Sequence, residues 1–103
     1  MPADLSLPRE YKRRVETAFG NRVAKMVLFG SRARGDEHEE SDWDIAVFFR
    51  DEPTTQDRYR LVDLGTDVLF DTGQVIQPVT LALRRQDEES YLMMAIRADG
   101  IAL

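Results

Sequence analysis

Two aspartates one residue apart, Asp42 and Asp44, open an apolar run that continues to Phe49. In a β-strand, residues i and i+2 share a face, with α-carbons about 6.5 to 7 Å apart at a rise of about 3.3 Å per residue. Two carboxylates placed in this way repel each other. At an effective dielectric near 20 and about 4 Å separation the cost is about 4 kcal/mol. Water offsets it if both groups are exposed, and a divalent cation offsets it more completely. Mg²⁺ takes oxygen ligands, keeps several waters, and is held by one or two carboxylates plus substrate phosphates. Such a pair can also bridge two ions about 3.5 to 4 Å apart. Taken alone, D-x-D reads more simply as an acidic strand end in solvent.

A second feature precedes it. The apolar run VAKMVLF stops at Gly30-Ser31. A buried strand that breaks at Gly-Ser and enters a helical turn exposes backbone N–H groups, which together with a small hydroxyl can hold phosphate oxygens. Glycine suits the position because a side chain would block close approach. Arg32 and Arg34 add positive charge beside the acidic pair. Gly-Ser by itself is an ordinary turn. At the tips of two neighbouring apolar strands, the two features form a phosphate cradle facing a metal-binding carboxylate pair.

The elements that must position these residues follow from periodicity. Ser6 to Phe19 is predicted to be a helix, with Ser6 as N-cap, Pro8 in the first turn, and Leu7, Tyr11, Val15, Ala18 and Phe19 on its buried face. Gly20-Asn21 stops it. Val23 to Phe29 is a central strand covered on both faces, with Lys25 near its start reaching solvent. Residues 31–35 form a short helix ended by Gly35, and 36–41 a polar loop. Asp42 to Phe49 is a strand with Trp43, Ile45, Val47 and Phe49 on one face and Asp42, Asp44, Ala46 and Phe48 on the other. Arg50 to Thr55 is a loop.

From Gln56 to Phe70 a helical pattern returns, with Tyr59, Val62, Thr66 and Leu69 on one face and Leu61 and Val68 flanking it; Gly73 closes it. Gln74 to Leu83 is a third strand in which Pro78 demands a bulge or an edge. Asp87 caps a last helix to Ala98, with Tyr91, Leu92, Ala95 and Ile96 inward, and Ile101 to Leu103 adds a short strand or tucks into the core. The expected fold class is α+β, an α/β sandwich of helices on a small mixed sheet.

The bulk properties agree with one domain over residues 1–103. A 43% apolar and 32% charged chain is of soluble globular type. The absence of cysteine excludes disulfides and thiolate metal sites. No apolar stretch is long enough to span a membrane, and the N-terminal residues lack a signal peptide's apolar segment, so a cytoplasmic location is expected. The net charge of −5 argues against strong nucleic-acid binding by bulk charge. The cluster Arg9, Lys12, Arg13, Arg14 reads as a solvated helix face. His38, the sole histidine, reads as a loop residue. Trp43 and Met93-Met94 read as core, and Phe48 as lining either a nucleotide pocket or the underside of a helix.

Gly30-Ser31, ten intervening residues and Asp42-Trp43-Asp44 resemble the signature of the DNA polymerase β-like nucleotidyltransferase superfamily. The fuller string FGSRARGDEHEESDWDIAVF resembles the minimal nucleotidyltransferases, small proteins often encoded beside a HEPN-domain toxin. The resemblance extends to QPVTLAL and the closing IRADGIAL. It implies that Gly30 and Ser31 hold the β- and γ-phosphates of ATP or another NTP, and that Asp42 and Asp44 hold two Mg²⁺ ions and are catalytic. Arg32 and Arg34 would steady either the phosphates or the fold. An acceptor hydroxyl would attack the α-phosphorus and pyrophosphate would leave. In the toxin–antitoxin systems the acceptor is a tyrosine of the HEPN partner, which AMP transfer silences; a hetero-oligomer is implied.

One position departs. The superfamily usually places a third carboxylate on the next strand, and the matching residue here is Gln77 or Thr80. Gln can coordinate through its carbonyl but cannot take a proton. Asp67 and Asp71, upstream on the preceding helix, do not replace it. Three readings follow: an adenylylating antitoxin, a nucleotidyltransferase-fold antitoxin that acts by binding alone, or transfer to another acceptor such as RNA or a small molecule.

Overall fold

The computed structural model describes residues 4–36, 38 and 41–103; the expectations for Met1 to Ala3 and for Glu37, Glu39 and Glu40 of the polar loop lie outside them. Among the described residues four α-helices and four strands alternate as α1 (Ser6–Phe19), β1 (Val23–Phe29), α2 (Ser31–Arg34), β2 (Trp43–Phe49), α3 (Thr55–Thr72), β3 (Ile76–Ala82), α4 (Tyr91–Asp99) and β4 (Ile101–Ala102). The sheet order is β3-β2-β1-β4. β1 is antiparallel to β2 and to β4, and β2 is parallel to β3. This is the mixed sheet and α+β sandwich expected from the sequence.

The alternation in β2 sorts the two cores. Trp43, Ile45, Val47 and Phe49 pack with Tyr11 and Val15 of α1 and Leu61, Leu64 and Val68 of α3. Ala46 and Phe48 pack on the other face with Met93 and Ile96 of α4. The buried Tyr11 hydroxyl donates to the Leu61 carbonyl at 2.8 Å, which satisfies a polar group inside the layer and ties α1 to α3. Lys25 is exposed; its ammonium lies over the Phe48 ring and donates to Gln86 Oε1 at 2.8 Å.

Pro78 sits on the edge strand, and no bulge is needed. The register from Trp43↔Ile76 to Phe49↔Ala82 is unbroken. Trp43 N–H donates to the Val75 carbonyl. In a parallel ladder this phase turns the backbone groups of residues 75, 77, 79 and 81 toward β2 and those of 76, 78, 80 and 82 to the open side. Proline's missing N–H therefore falls where no ladder bond is due.

Four expectations are corrected. Ser6 does not cap α1. Leu5 occupies that position without a side-chain bond, and Asp4 Oδ1 instead accepts from Ser6 N–H at 3.0 Å and Ser6 Oγ at 2.8 Å. The last helix starts at Tyr91 under a Ser90 cap, not at Asp87, and Arg97 donates to the carbonyls of Gln86 and Glu88 in the loop before it.

The buried stripe of α3 is Leu61, Leu64, Gly65 and Val68, while Tyr59, Val62, Leu69 and Phe70 are exposed, Phe70 at 83%. Both stripes have helical spacing. Gly65 lies on the chosen one, where a Cβ would stand 3.5 Å from the Cβ of Ile76, an ordinary packing contact. On α4 the inward pair is Met93 and Ile96, three residues apart, and Tyr91 is 92% exposed.

Candidate active site

Strand directions bring the chemistry together. β1 is antiparallel to β2, so the end of β1 lies beside the start of β2, with Phe29 opposite Asp44. β3 is parallel to β2, so its start lies there too, with Gln77 opposite Asp44. Gly30-Ser31, Asp42, Asp44 and Gln77 thus meet at one end of the sheet. Thr80 stands opposite Val47 and is buried, so the register selects Gln77 as the residue facing the acidic pair.

Gly30 is required twice over. Its φ of 77° lies in the left-handed region. A Cβ there would also collide with Asp44 Oδ2 and stand 3.2 Å from Asp44 Cγ. The Asp44 carboxylate therefore lies against bare backbone where β1 turns into α2. The Gly30 carbonyl accepts from Ala33 and Arg34 N–H at 3.0 Å each, and Gly35, at φ 84°, ends the turn. The N–H groups that open such a turn have no partner within it.

Asp42 and Asp44 are both half-buried. The Asp44 carboxyl is pushed above its ordinary range, first by burial and then by the charge of Asp42, with Arg34 pulling it back. Both causes disfavour the ionised Asp44 carboxylate, and an opposite charge nearby favours it. Gln77 Nε2 donates to Asp42 Oδ2 at 3.2 Å. The donors on offer are two carboxylates and one amide oxygen, which fit a hard divalent cation of the Mg²⁺ type sharing its shell with water and phosphate. Among the described residues no group of three or more His, Cys, Asp or Glu converges as a metal site.

The two arginines are anchored in protein. Arg32 lies on the Trp43 ring, its Cζ 4.4 Å from the centroid. Its Nε and Nη2 donate to the Ser41 carbonyl at 3.2 and 3.0 Å, and Nη2 reaches Gln74 Oε1 at 3.4 Å. Gln74 Oε1 also accepts from Trp43 Nε1 at 3.1 Å. These contacts hold Arg32 against Ser41, the residue next to Asp42. Arg34 pairs with Asp36 at 3.1 Å and with Asp99 of α4 at 3.0 Å, and its charge still reaches Asp44.

Gln74 and Asp99 carry no local signal in the sequence; only the fold brings them here. Asp71 is held by Arg14 at 2.8 Å, and Asp67 lines the cleft between α1 and α3. Trp43 is core, 7% exposed, and Phe48 lies under α4. Met93 fills the core while Met94 is exposed. His38 is an exposed loop residue whose N–H donates to Ser41 Oγ.

The family model for polymerase β nucleotidyltransferases matches residues 14–103. A Methanocaldococcus jannaschii protein provisionally named a protein adenylyltransferase is 27% identical over 75 residues, spanning 73% of this chain and 76% of its own. A solved structure provisionally described as a minimal nucleotidyltransferase superposes with a TM-score of 0.63 at 25% identity, over 97% of this chain and 96% of that one. A chain in the structure of a tri-AMPylated Shewanella oneidensis HEPN toxin in complex with an MNT antitoxin shares the fold at a TM-score of 0.55 and 16% identity, over 93% of this chain and 70% of that one. The protein belongs to the polymerase β nucleotidyltransferase family. Among the described residues no helix is long and apolar enough to cross a membrane.

Proposed function

We propose that this protein transfers AMP from ATP to a tyrosine hydroxyl of a HEPN-domain partner toxin and thereby acts as its antitoxin. The observation that carries the reading is the seating of the Asp44 carboxylate against Gly30, beside Asp42, where the two central strands meet. Asp42 and Asp44 would hold Mg²⁺, which when bound neutralises phosphate oxygens and makes the α-phosphorus more open to attack. Gly30 and Ser31 receive the β- and γ-phosphates on backbone N–H groups and a hydroxyl.

A bond forms from the acceptor oxygen to the α-phosphorus, the bond between that phosphorus and the bridging oxygen breaks, and pyrophosphate departs. Gln77 cannot accept the hydroxyl proton, so it passes to one of the aspartates or to solvent. Arg32 holds the strand entry through Trp43, Ser41 and Gln74, and Arg34 offsets charge at Asp44.

A protein acceptor is supported by the outer surface. Tyr59, Val62, Leu69 and Phe70 of α3 are exposed. Val62 also lines a cleft of about 410 Å³ with Pro78, Val79, Leu81 and Leu92, edged by Arg58, Thr80 and Arg85, at the open edge directly after Gln77. Exposed apolar surface of this kind marks protein contacts. The amide at Gln77 favours a second reading, in which the fold neutralises its partner by binding alone.

Incubating the HEPN partner with this protein, ATP and Mg²⁺ and measuring intact mass separates the two. The expected result is a gain of one or more AMP units, lost when Asp42→Ala and Asp44→Ala are combined. No mass gain, with neutralisation surviving that double substitution, leaves the binder.

A further inference from the structure

We propose that Gln77 is the positioning residue for Asp42 and that, being neutral, it leaves the site with one protein-anchored divalent cation and not two. The inference deepens the nucleotide–cation reading above and rests on it.

The two carboxylates are oriented by different elements. Asp44 is set from the β1 side, where it fills the space that a Cβ on Gly30 would occupy. Asp42 is set from the β3 side. The donor end of the Gln77 amide is committed to Asp42 Oδ2, and β3 presents it from a strand in unbroken register with β2. Groups that hydrogen-bond a ligating carboxylate fix its orientation, and their loss lowers metal affinity about 10- to 100-fold.

The charge balance points the same way. Asp42 and Asp44 carry two negative charges, which one divalent cation neutralises. Arg34, whose charge acts on Asp44, is shared with Asp36 and Asp99. A second protein-anchored ion needs a further anionic ligand, and the residue in register has none. With Nε2 donating to Asp42, the amide has only the neutral Oε1 left to offer a second ion, and Oε1 brings no negative charge to it.

The test is a Mn²⁺ titration followed by the loss of the free-ion electron paramagnetic resonance signal, with and without a non-hydrolysable ATP analogue and against a nucleotide-only blank. The expected results are one Mn²⁺ per wild-type chain with the analogue, two for Gln77→Asp, and a 10- to 100-fold weaker first ion for Gln77→Ala at an unchanged melting temperature. Two ions on the wild type overturn the stoichiometry. Unchanged Mn²⁺ affinity in Gln77→Ala overturns the positioning role. A wild type that takes Mn²⁺ but no nucleotide overturns the transfer reading while the Gln77→Ala comparison still stands. A wild type that takes neither overturns both.

Discussion

Gly30 carries two constraints that a single methyl group would violate, a positive φ and an Asp44 carboxylate that occupies the place of a Cβ. Gly30→Ala must either displace that carboxylate or move the end of β1. A backbone at φ 77° and ψ −160° is adopted by glycine almost alone and costs another residue about 1 to 3 kcal/mol, and misplacing a reacting group by about 1 Å can cost about 100-fold in rate. The expected outcome is a lower melting temperature together with a drop in AMP transfer of about that size. Combining Gly30→Ala with Asp44→Ala removes the collision, so the double variant should be more stable than the two single effects summed; denaturant unfolding of the four proteins measures that coupling. Gly-Ser and D-x-D are legible as a site in the sequence because each rests on spacing within one strand end. The partners of Arg32 and Arg34 are not, because Gln74 and Asp99 arrive from other elements.

At the scale of elements, α3 is held at its start by Thr54 and Asp57. Their side chains exchange hydrogen bonds with each other's backbone N–H groups as a capping box. Asp57 also takes a two-pronged bond from Arg22 at 3.0 and 2.7 Å, and the Arg22 guanidinium lies over Phe19 and Phe49. These bonds, Arg22 first, hold the Asp57 carboxyl down at about 2. An unfolded aspartate titrates near 3.9, so the stabilisation is full above about pH 4 and is lost as pH falls through about 2.

Asp57→Asn is therefore expected to be less stable than wild type at pH 7, by about 1 kcal/mol after discounting for the exposed side of Arg22. The gap should narrow as pH approaches 2; urea midpoints across that range check it. The extent of α3 is legible from its sequence, but its inward face is not. Leu61, Leu64 and Val68 and the rival set Tyr59, Val62 and Leu69 both fit a 3.6-residue period, and periodicity cannot say which meets the sheet. Only the packed fold shows that Leu61, Leu64 and Val68 are the set that faces the sheet.

For the whole molecule, the second stripe of α3 becomes surface, joined to the open β3 edge and Leu92 of α4. If the partner seats there, Val62→Glu should leave the melting temperature within about 0.5 kcal/mol equivalent while lowering AMP transfer to the partner. Partner capture should weaken in parallel, whereas Asp42→Ala with Asp44→Ala should leave capture intact. Equal capture by Val62→Glu and wild type would move the partner off this face.

Local pattern alone determined the alternation of β2, the Gly-Ser break, the carboxylate pair and the mixed α/β character, because a strand's two-residue period and a glycine's freedom act over a few neighbours. Tertiary structure decided what faces that pair. Thirty-two residues separate Asp44 from Gln77, with a helix between them, and nothing local sets the slip of β3 along β2. Only the packed sheet, with Gln77 opposite Asp44 and its amide bonded to Asp42, distinguishes Gln77 from Thr80 and makes that residue part of the site.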